Sequence, residues 1–125
     1  MNSISLNVDI DELYKINEFI NDIILKEDFQ VELIVEEIFV NIVNYSNSDF
    51  VNVKVDYDEP ILTIEFIDNG VEFNPLLKED PEFPSNIDDA KIGGYGIFFA
   101  KKMADNLSYE YFNGENHLKI IKNVA

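Results

Sequence analysis

The sequence predicts an α+β fold in which three helices layer on one face of a mostly antiparallel, mixed sheet. Three observations lead there. Apolar residues recur at helical spacing in three segments, and they alternate with period two in five others. The segments follow one another as β-α-α-β-β-loop-α-β-β. Short turn sequences join the last two strand pairs, and a tight turn forces its two strands to run antiparallel.

In chain order, residues 3–8 place Ile4, Leu6 and Val8 against Ser3, Ser5 and Asn7, the alternation of a half-buried strand. Asp9 with Glu12 resembles a helix capping pair, and Ile10, Leu13, Ile16, Phe19, Ile20, Ile23 and Ile24 then keep helical spacing to about Lys26. A second helix begins at Asp28 or Phe29, runs through Tyr45 and ends in Ser46-Asn47-Ser48. Val51, Val53, Val55 and Tyr57 form one strand, the Asp58-Glu59-Pro60 turn follows, and "ILTIEFID" forms the next. On that strand Leu62, Ile64 and Phe66 share a face, and period two puts Asp68 on the same apolar side.

Residues 71–92 break the pattern with three of the four prolines and six acidic residues. A loop of this length inside a small domain often serves as a lid. "GGYGIFFAKKMADN" opens a third helix with Ile97, Ala100 and Met103 inward, and "LSYEYF", Asn113-Gly114 and "HLKIIK" close the chain as a hairpin. One domain over residues 1–125 is expected, with a core large enough to need no disulfide or structural metal.

Composition excludes several classes of function. There are no cysteines, so thiol chemistry and cysteine metal clusters are out. The single His, His117, rules out a multi-histidine metal site. Twenty-five acidic residues against nine basic ones give a net charge of −16, which disfavours direct binding to nucleic acid or to an anionic membrane. No apolar run approaches a membrane span and the N-terminus lacks the pattern of a secretory signal, so a soluble, cytoplasmic protein is expected. All nine cations are Lys; phosphate handling must rest on backbone N–H groups, Lys or a metal ion.

Three short stretches carry candidate chemistry. In "EEIFVNIVNYS", residues set at 100° intervals place Ile34, Ile38, Ile42 and Tyr45 in one apolar sector and Leu33 and Val40 in another. Glu37, Asn41 and Asn44 form a polar seam between them, whereas Glu32 and Glu36 fit an ordinary solvated face. Spacing of i, i+4 lets a carboxylate and an amide oxygen converge, which suits a hard cation and a hydroxyl or water to be deprotonated. The spacing also fits a sheltered, solvated helix edge. In "FIDNGVEFNP", Asp68 ends a strand on its apolar face before the Asn69-Gly70 turn, where it can accept from an amino group such as a purine's; a turn-capping Asp is the plainer alternative. In "KIGGYGIFFAKK", Gly93, Gly94 and Gly96 precede a helix, and Lys91, Lys101 and Lys102 cluster nearby. Free N–H groups at a helix start favour an anion, although a tight turn would use the same glycines; the spacing is not that of a P-loop.

Taken in this order, the three stretches resemble the ATP-binding domain of the gyrase, Hsp90, histidine-kinase and MutL superfamily, and within it the anti-sigma serine kinases of the RsbW and SpoIIAB type. "EEIFVNIVNYS" is similar to the family's N box, "DNGVEFNPL" to its first glycine box, and "GGYGIFFAKKMADN" with the following hairpin to its second. The resemblance implies the two-layer Bergerat ATP-binding fold, with ATP and Mg²⁺ as cofactors. It implies Glu37 as general base, Asn41 as Mg²⁺ ligand, Asp68 as reader of the adenine amino group and Gly70 as the residue permitting that approach. Gly93, Gly94, Tyr95 and Gly96 become nucleotide contacts, and residues 71–92 the ATP lid, with Lys78 or Lys91 approaching the phosphates on closure. His117 stands where several relatives carry a Thr near the base.

The function so implied is a serine/threonine protein kinase. It would transfer the γ-phosphoryl of ATP to a small anti-anti-sigma-type (STAS) partner, with sequestration of a sigma factor as a further role. Apolar strand and helix edges permit a homodimer. The alternatives are a nucleotide-gated protein-binding module and a slow ATPase without an acceptor protein.

Overall fold

The computed structural model describes residues 2–77 and 96–125. Gly93, Gly94 and Tyr95, the lysines at 78 and 91, and most of the expected lid lie outside the described residues.

Strand β1 (Asn2–Leu6) leads through a short 3₁₀ turn at Ile10–Glu12 into helix α1 (Leu13–Ile24). Asp9 caps that turn by accepting from the Asp11 N–H at 2.9 Å, while Glu12 accepts from the Asn7 N–H at 3.2 Å. The pair therefore secures the helix entry without forming a reciprocal capping box. Leu25 ends α1 in a left-handed conformation at φ 61°, and its N–H bonds to the Asn21 carbonyl at 2.8 Å.

Helix α2 (Phe29–Asn41) begins with a strong cap, since Asp28 accepts from the Val31 N–H at 3.0 Å. Its last turn departs from expectation. Residues Ile42–Ser46 form a π turn rather than continuing the α-helix, and Asn47 closes it in a left-handed conformation at φ 52°. A π turn advances each residue by less than the 100° of an α-helix, so the phase is lost beyond Asn41. Ile42 stays buried, but Tyr45 leaves the buried sector and is 59% exposed.

Strands β2 (Val51–Asp58) and β3 (Ile61–Asp68) form the first hairpin; helix α3 (Gly96–Met103) follows; β4 (Asn106–Phe112) and β5 (Glu115–Asn123) form the second. Asn113 at φ 54° and Gly114 at φ 75° supply the two left-handed positions of that second turn. The sheet order is β1-β2-β3-β5-β4, and every described pairing is antiparallel, with no parallel pair among the described residues.

Period two decides which face is dry. Val51, Val53 and Val55 of β2, Leu62, Ile64 and Phe66 of β3, and Leu118 and Ile120 of β5 are buried on one side. Ile16, Ile20 and Ile24 of α1, Ile34, Ile38 and Phe39 of α2, and Ile97 and Ala100 of α3 complete the same core, so the three helices cover that face. Removing the Phe39 side chain from it would cost about 3–5 kcal/mol. Glu32 departs from the expected solvated face: it is partly buried and accepts from Asn21 Nδ2 at 3.4 Å, linking α2 to α1. Among the described residues no helix is long and apolar enough to cross a membrane.

The opposite face of the sheet carries Lys54, Glu65, Glu110, Lys119 and His117 around a hollow of about 680 Å³. His117 therefore faces the side of the sheet opposite to Asp68. Its ring stacks on Phe112 with centroids 4.2 Å apart, and its two nitrogens stand 3.6 Å from Glu65 and Glu115, beyond hydrogen-bond range. The residue paired with Asp68 across β3 and β5 is Asn116, one position earlier.

Candidate functional site

The dry face of the sheet ends, at the C-terminus of β3, in a cavity of about 30 Å³. Asn41, Ser46, Asp68, Phe73, Pro75, Tyr109 and Asn116 line it, together with apolar residues of α2 and the sheet. The hollow on the other face is larger, but most of its lining residues are exposed. Among the described residues, the small cavity is the one lined by buried polar side chains, with Asp68 3% and Asn116 5% exposed.

Asp68 is held by its own turn and by β5. Its Oδ1 accepts from the Gly70 N–H at 2.9 Å and from Asn116 Nδ2 at 3.0 Å. Among the described residues neither bond uses Oδ2, which leaves an acceptor for a ligand's donor. Gly70 is required by packing. A Cβ placed there would stand 2.1 Å from the Ser46 carbonyl oxygen, which belongs to the π turn and accepts from the Val71 N–H at 2.9 Å. The π turn thus presents the Ser46 carbonyl to the strand-end loop, while the Ser46 hydroxyl donates to the Ile42 carbonyl at 2.7 Å.

Asn116 and Tyr109 are the site residues that sequence reasoning missed. Asn116 Nδ2 also donates to the Val71 carbonyl at 2.8 Å, and its Oδ1 accepts from the Phe73 N–H at 3.1 Å and from the Tyr109 hydroxyl. Burial pushes the Tyr109 phenol above its ordinary pKa, so it remains a donor at neutral pH. A signal was available: counting back by two from Ile120 and Leu118 reaches Asn116 on the core face, opposite Asp68.

Glu37 and Asn41 occupy the other side, on consecutive turns of α2. Asn41 Nδ2 donates to the Glu37 carbonyl at 2.8 Å, so its Oδ1 is the end free to meet a ligand. Asn41 lines the cavity; Glu37 stands one turn away and does not. Glu37 is partly buried, and burial first, with the neighbouring Glu36 charge second, pushes its carboxyl above the ordinary carboxylate range. Among the described residues no side chain donates to it. Asn44, the third member of the expected seam, is exposed.

The residues fit a nucleotide with a divalent ion. Asn41 Oδ1 offers one neutral oxygen, and the described residues contain no cluster of three or more acidic or His ligands. That donor set suits Mg²⁺, which takes few protein oxygens and keeps phosphate and water ligands. A base would have to displace lining side chains, because about 30 Å³ is well below the roughly 150 Å³ of a cavity that admits benzene. Phe73 lies in the loop after β3 and Pro75 opens the short 3₁₀ turn Pro75–Leu77, and both line the cavity.

Comparison with known proteins gives a consistent picture. Residues 12–122 match the model of the histidine kinase-like ATPase domain. The serine/threonine-protein kinase BtrW of Bordetella bronchiseptica is 30% identical over 64 residues, covering 51% of this chain and 45% of that protein. The match thus spans less than half the length of this curated relative. The histidine kinase domain of the Erythrobacter litoralis blue-light activated histidine kinase superposes with a TM-score of 0.51 at 15% identity, over 95% of this chain and 62% of that one. At that identity the likeness concerns the fold.

Proposed function

The chain belongs to the histidine kinase-like ATPase domain family, and we propose that within it this chain is an ATP- and Mg²⁺-dependent serine/threonine protein kinase of the anti-sigma type. Its acceptor is a Ser or Thr hydroxyl of a small anti-anti-sigma-type (STAS) protein, a sigma factor is a second partner, and the chain works in the cytoplasm as a homodimer. The similarity to a protein named as a serine/threonine kinase supports the reaction class.

One observation carries the chemical part of the reading. Glu37 is a carboxylate of raised basicity with no described donor, one helical turn from an amide oxygen that faces the same cavity as Asp68. In the proposed reaction Asp68 Oδ2 accepts from the adenine amino group, and Gly70 allows the loop to pass close by. Glu37 takes the proton from the acceptor hydroxyl as its oxygen bonds to the γ-phosphorus; the bond to the β-phosphate oxygen breaks and ADP leaves. Mg²⁺ would be held by Asn41 Oδ1 and supplies neutralising charge at the phosphates. The N–H groups of Gly93, Gly94, Tyr95 and Gly96 cradle the phosphates in this reading, with residues 71–92 as lid.

A nucleotide-gated binding module is the second reading, favoured by the Phe73 N–H bonds that hold the loop across the base cavity. Incubation of the chain with γ-labelled ATP, Mg²⁺ and a candidate STAS protein separates the two. Label on a Ser or Thr of that protein is expected. Nucleotide-dependent binding without label would replace the kinase reading with the gated module, and free phosphate alone would leave a slow ATPase.

A further inference from the structure

We infer that Asn116, anchored by Tyr109, is the positioning residue that sets which purine the site accepts; the inference rests on the nucleotide reading above. A primary amide has two donor hydrogens and an oxygen with two lone pairs. Asn116 spends all four: Nδ2 on Asp68 Oδ1 at 3.0 Å and the Val71 carbonyl at 2.8 Å, Oδ1 on the Phe73 N–H at 3.1 Å and the Tyr109 hydroxyl. Turning the amide over would set its oxygen against the Asp68 carboxylate and its NH₂ against the Phe73 N–H. The network therefore fixes one orientation, in a side chain only 5% exposed.

The consequence falls on Asp68. Its Oδ1 is saturated by Gly70 and Asn116, so the carboxylate cannot rotate to offer that oxygen to a ligand. Oδ2 is left as an acceptor beside the cavity that Asp68 lines. Adenine presents an amino donor at the purine 6-position. Hypoxanthine presents a carbonyl oxygen there, so two acceptors would meet in a dry site with no proton between them.

Asn116→Asp puts a second carboxyl about 3 Å from Asp68, close enough that the two share a proton. The pair then offers a donor as well as an acceptor, and the penalty on the 6-oxo purine falls. Tyr109→Phe removes one anchor of the amide and keeps the ring in place.

The test is titration calorimetry of the full chain with Mg·ATP and Mg·ITP. The wild type is expected to prefer ATP by at least about tenfold. Asn116→Asp should weaken ATP by about tenfold and bring the ATP-to-ITP ratio down by about fivefold or more, with Tyr109→Phe moving both the same way by about two- to threefold. A wild type that binds ATP while both variants keep its affinity and ratio overturns the inference and leaves the nucleotide reading standing. An equal loss of ATP and ITP in both variants also overturns it, because a merely structural role weakens the two alike. A wild type that binds neither nucleotide removes the nucleotide reading and this inference together.

Discussion

Asp68 and Glu37 are both carboxylates on the dry side of the sheet, and the fold treats them in opposite ways. Asp68 is 3% exposed and fixed by the Gly70 N–H and Asn116. Glu37 is partly buried, has no described donor, and is driven up in pKa by burial and by Glu36. A carboxylate that is fixed and hydrogen-bonded reads the shape of a donor. One left without donors and made more basic is suited to taking a proton. In the proposed function these two environments divide recognition from chemistry, and substitutions at each should have separable effects.

The largest effect on ATP affinity is expected at Asp68. Asp68→Asn replaces the free acceptor or its partner with an amide NH₂, costing about 2 kcal/mol, or roughly 30-fold in Kd for ATP. Equilibrium binding of a fluorescent ATP analogue checks it. Gly70→Ala tests the support beneath that end, since its Cβ would stand 2.1 Å from the Ser46 carbonyl. The backbone of the π turn must shift, and a loss of about 1–3 kcal/mol in urea unfolding is expected.

A gentler probe addresses the Glu37 end. Its base form appears only above its raised pKa, so the acidic limb of phosphotransfer should lie above the ordinary carboxylate range. Glu36→Gln removes one of the two causes and should move that limb to lower pH. Stability carries the matching sign. The folded pKa is raised, so stabilisation by the neutral carboxyl is fully present below the unfolded value and is lost as pH rises through the folded one. Glu37→Gln should therefore raise Tm relative to wild type at neutral pH and leave the difference small in acid. The smallest effect belongs to His117, which faces the other side of the sheet: His117→Gln should leave ATP affinity within about twofold, the change of a surface site away from the ligand.

Much of this arrangement was legible in the residues. Alternation marked every strand, Asn113-Gly114 marked the last turn, and period two put Asp68 on the core face, because these signals depend on near neighbours in the chain. Two features were not legible, for different reasons. The π turn at Ile42–Ser46 is selected by contact with Gly70 and Val71, more than twenty residues away, so extrapolating α-helical phase misplaced Tyr45. Asn116 was hidden beside the only histidine. The chemistry of His117 drew attention to the wrong face, although the strand's own period assigns Asn116 to the right one. Glu32 shows the same limit, since its partner Asn21 lies on another helix.

The most direct test of the division is Glu37→Gln, assayed for ATP binding and for single-turnover transfer of labelled γ-phosphate to the acceptor protein at saturating ATP. The division predicts an ATP Kd within about twofold of wild type and a transfer rate lowered by about 10²- to 10⁴-fold. Transfer at the wild-type rate, or a loss of activity explained wholly by lost ATP binding, would contradict it.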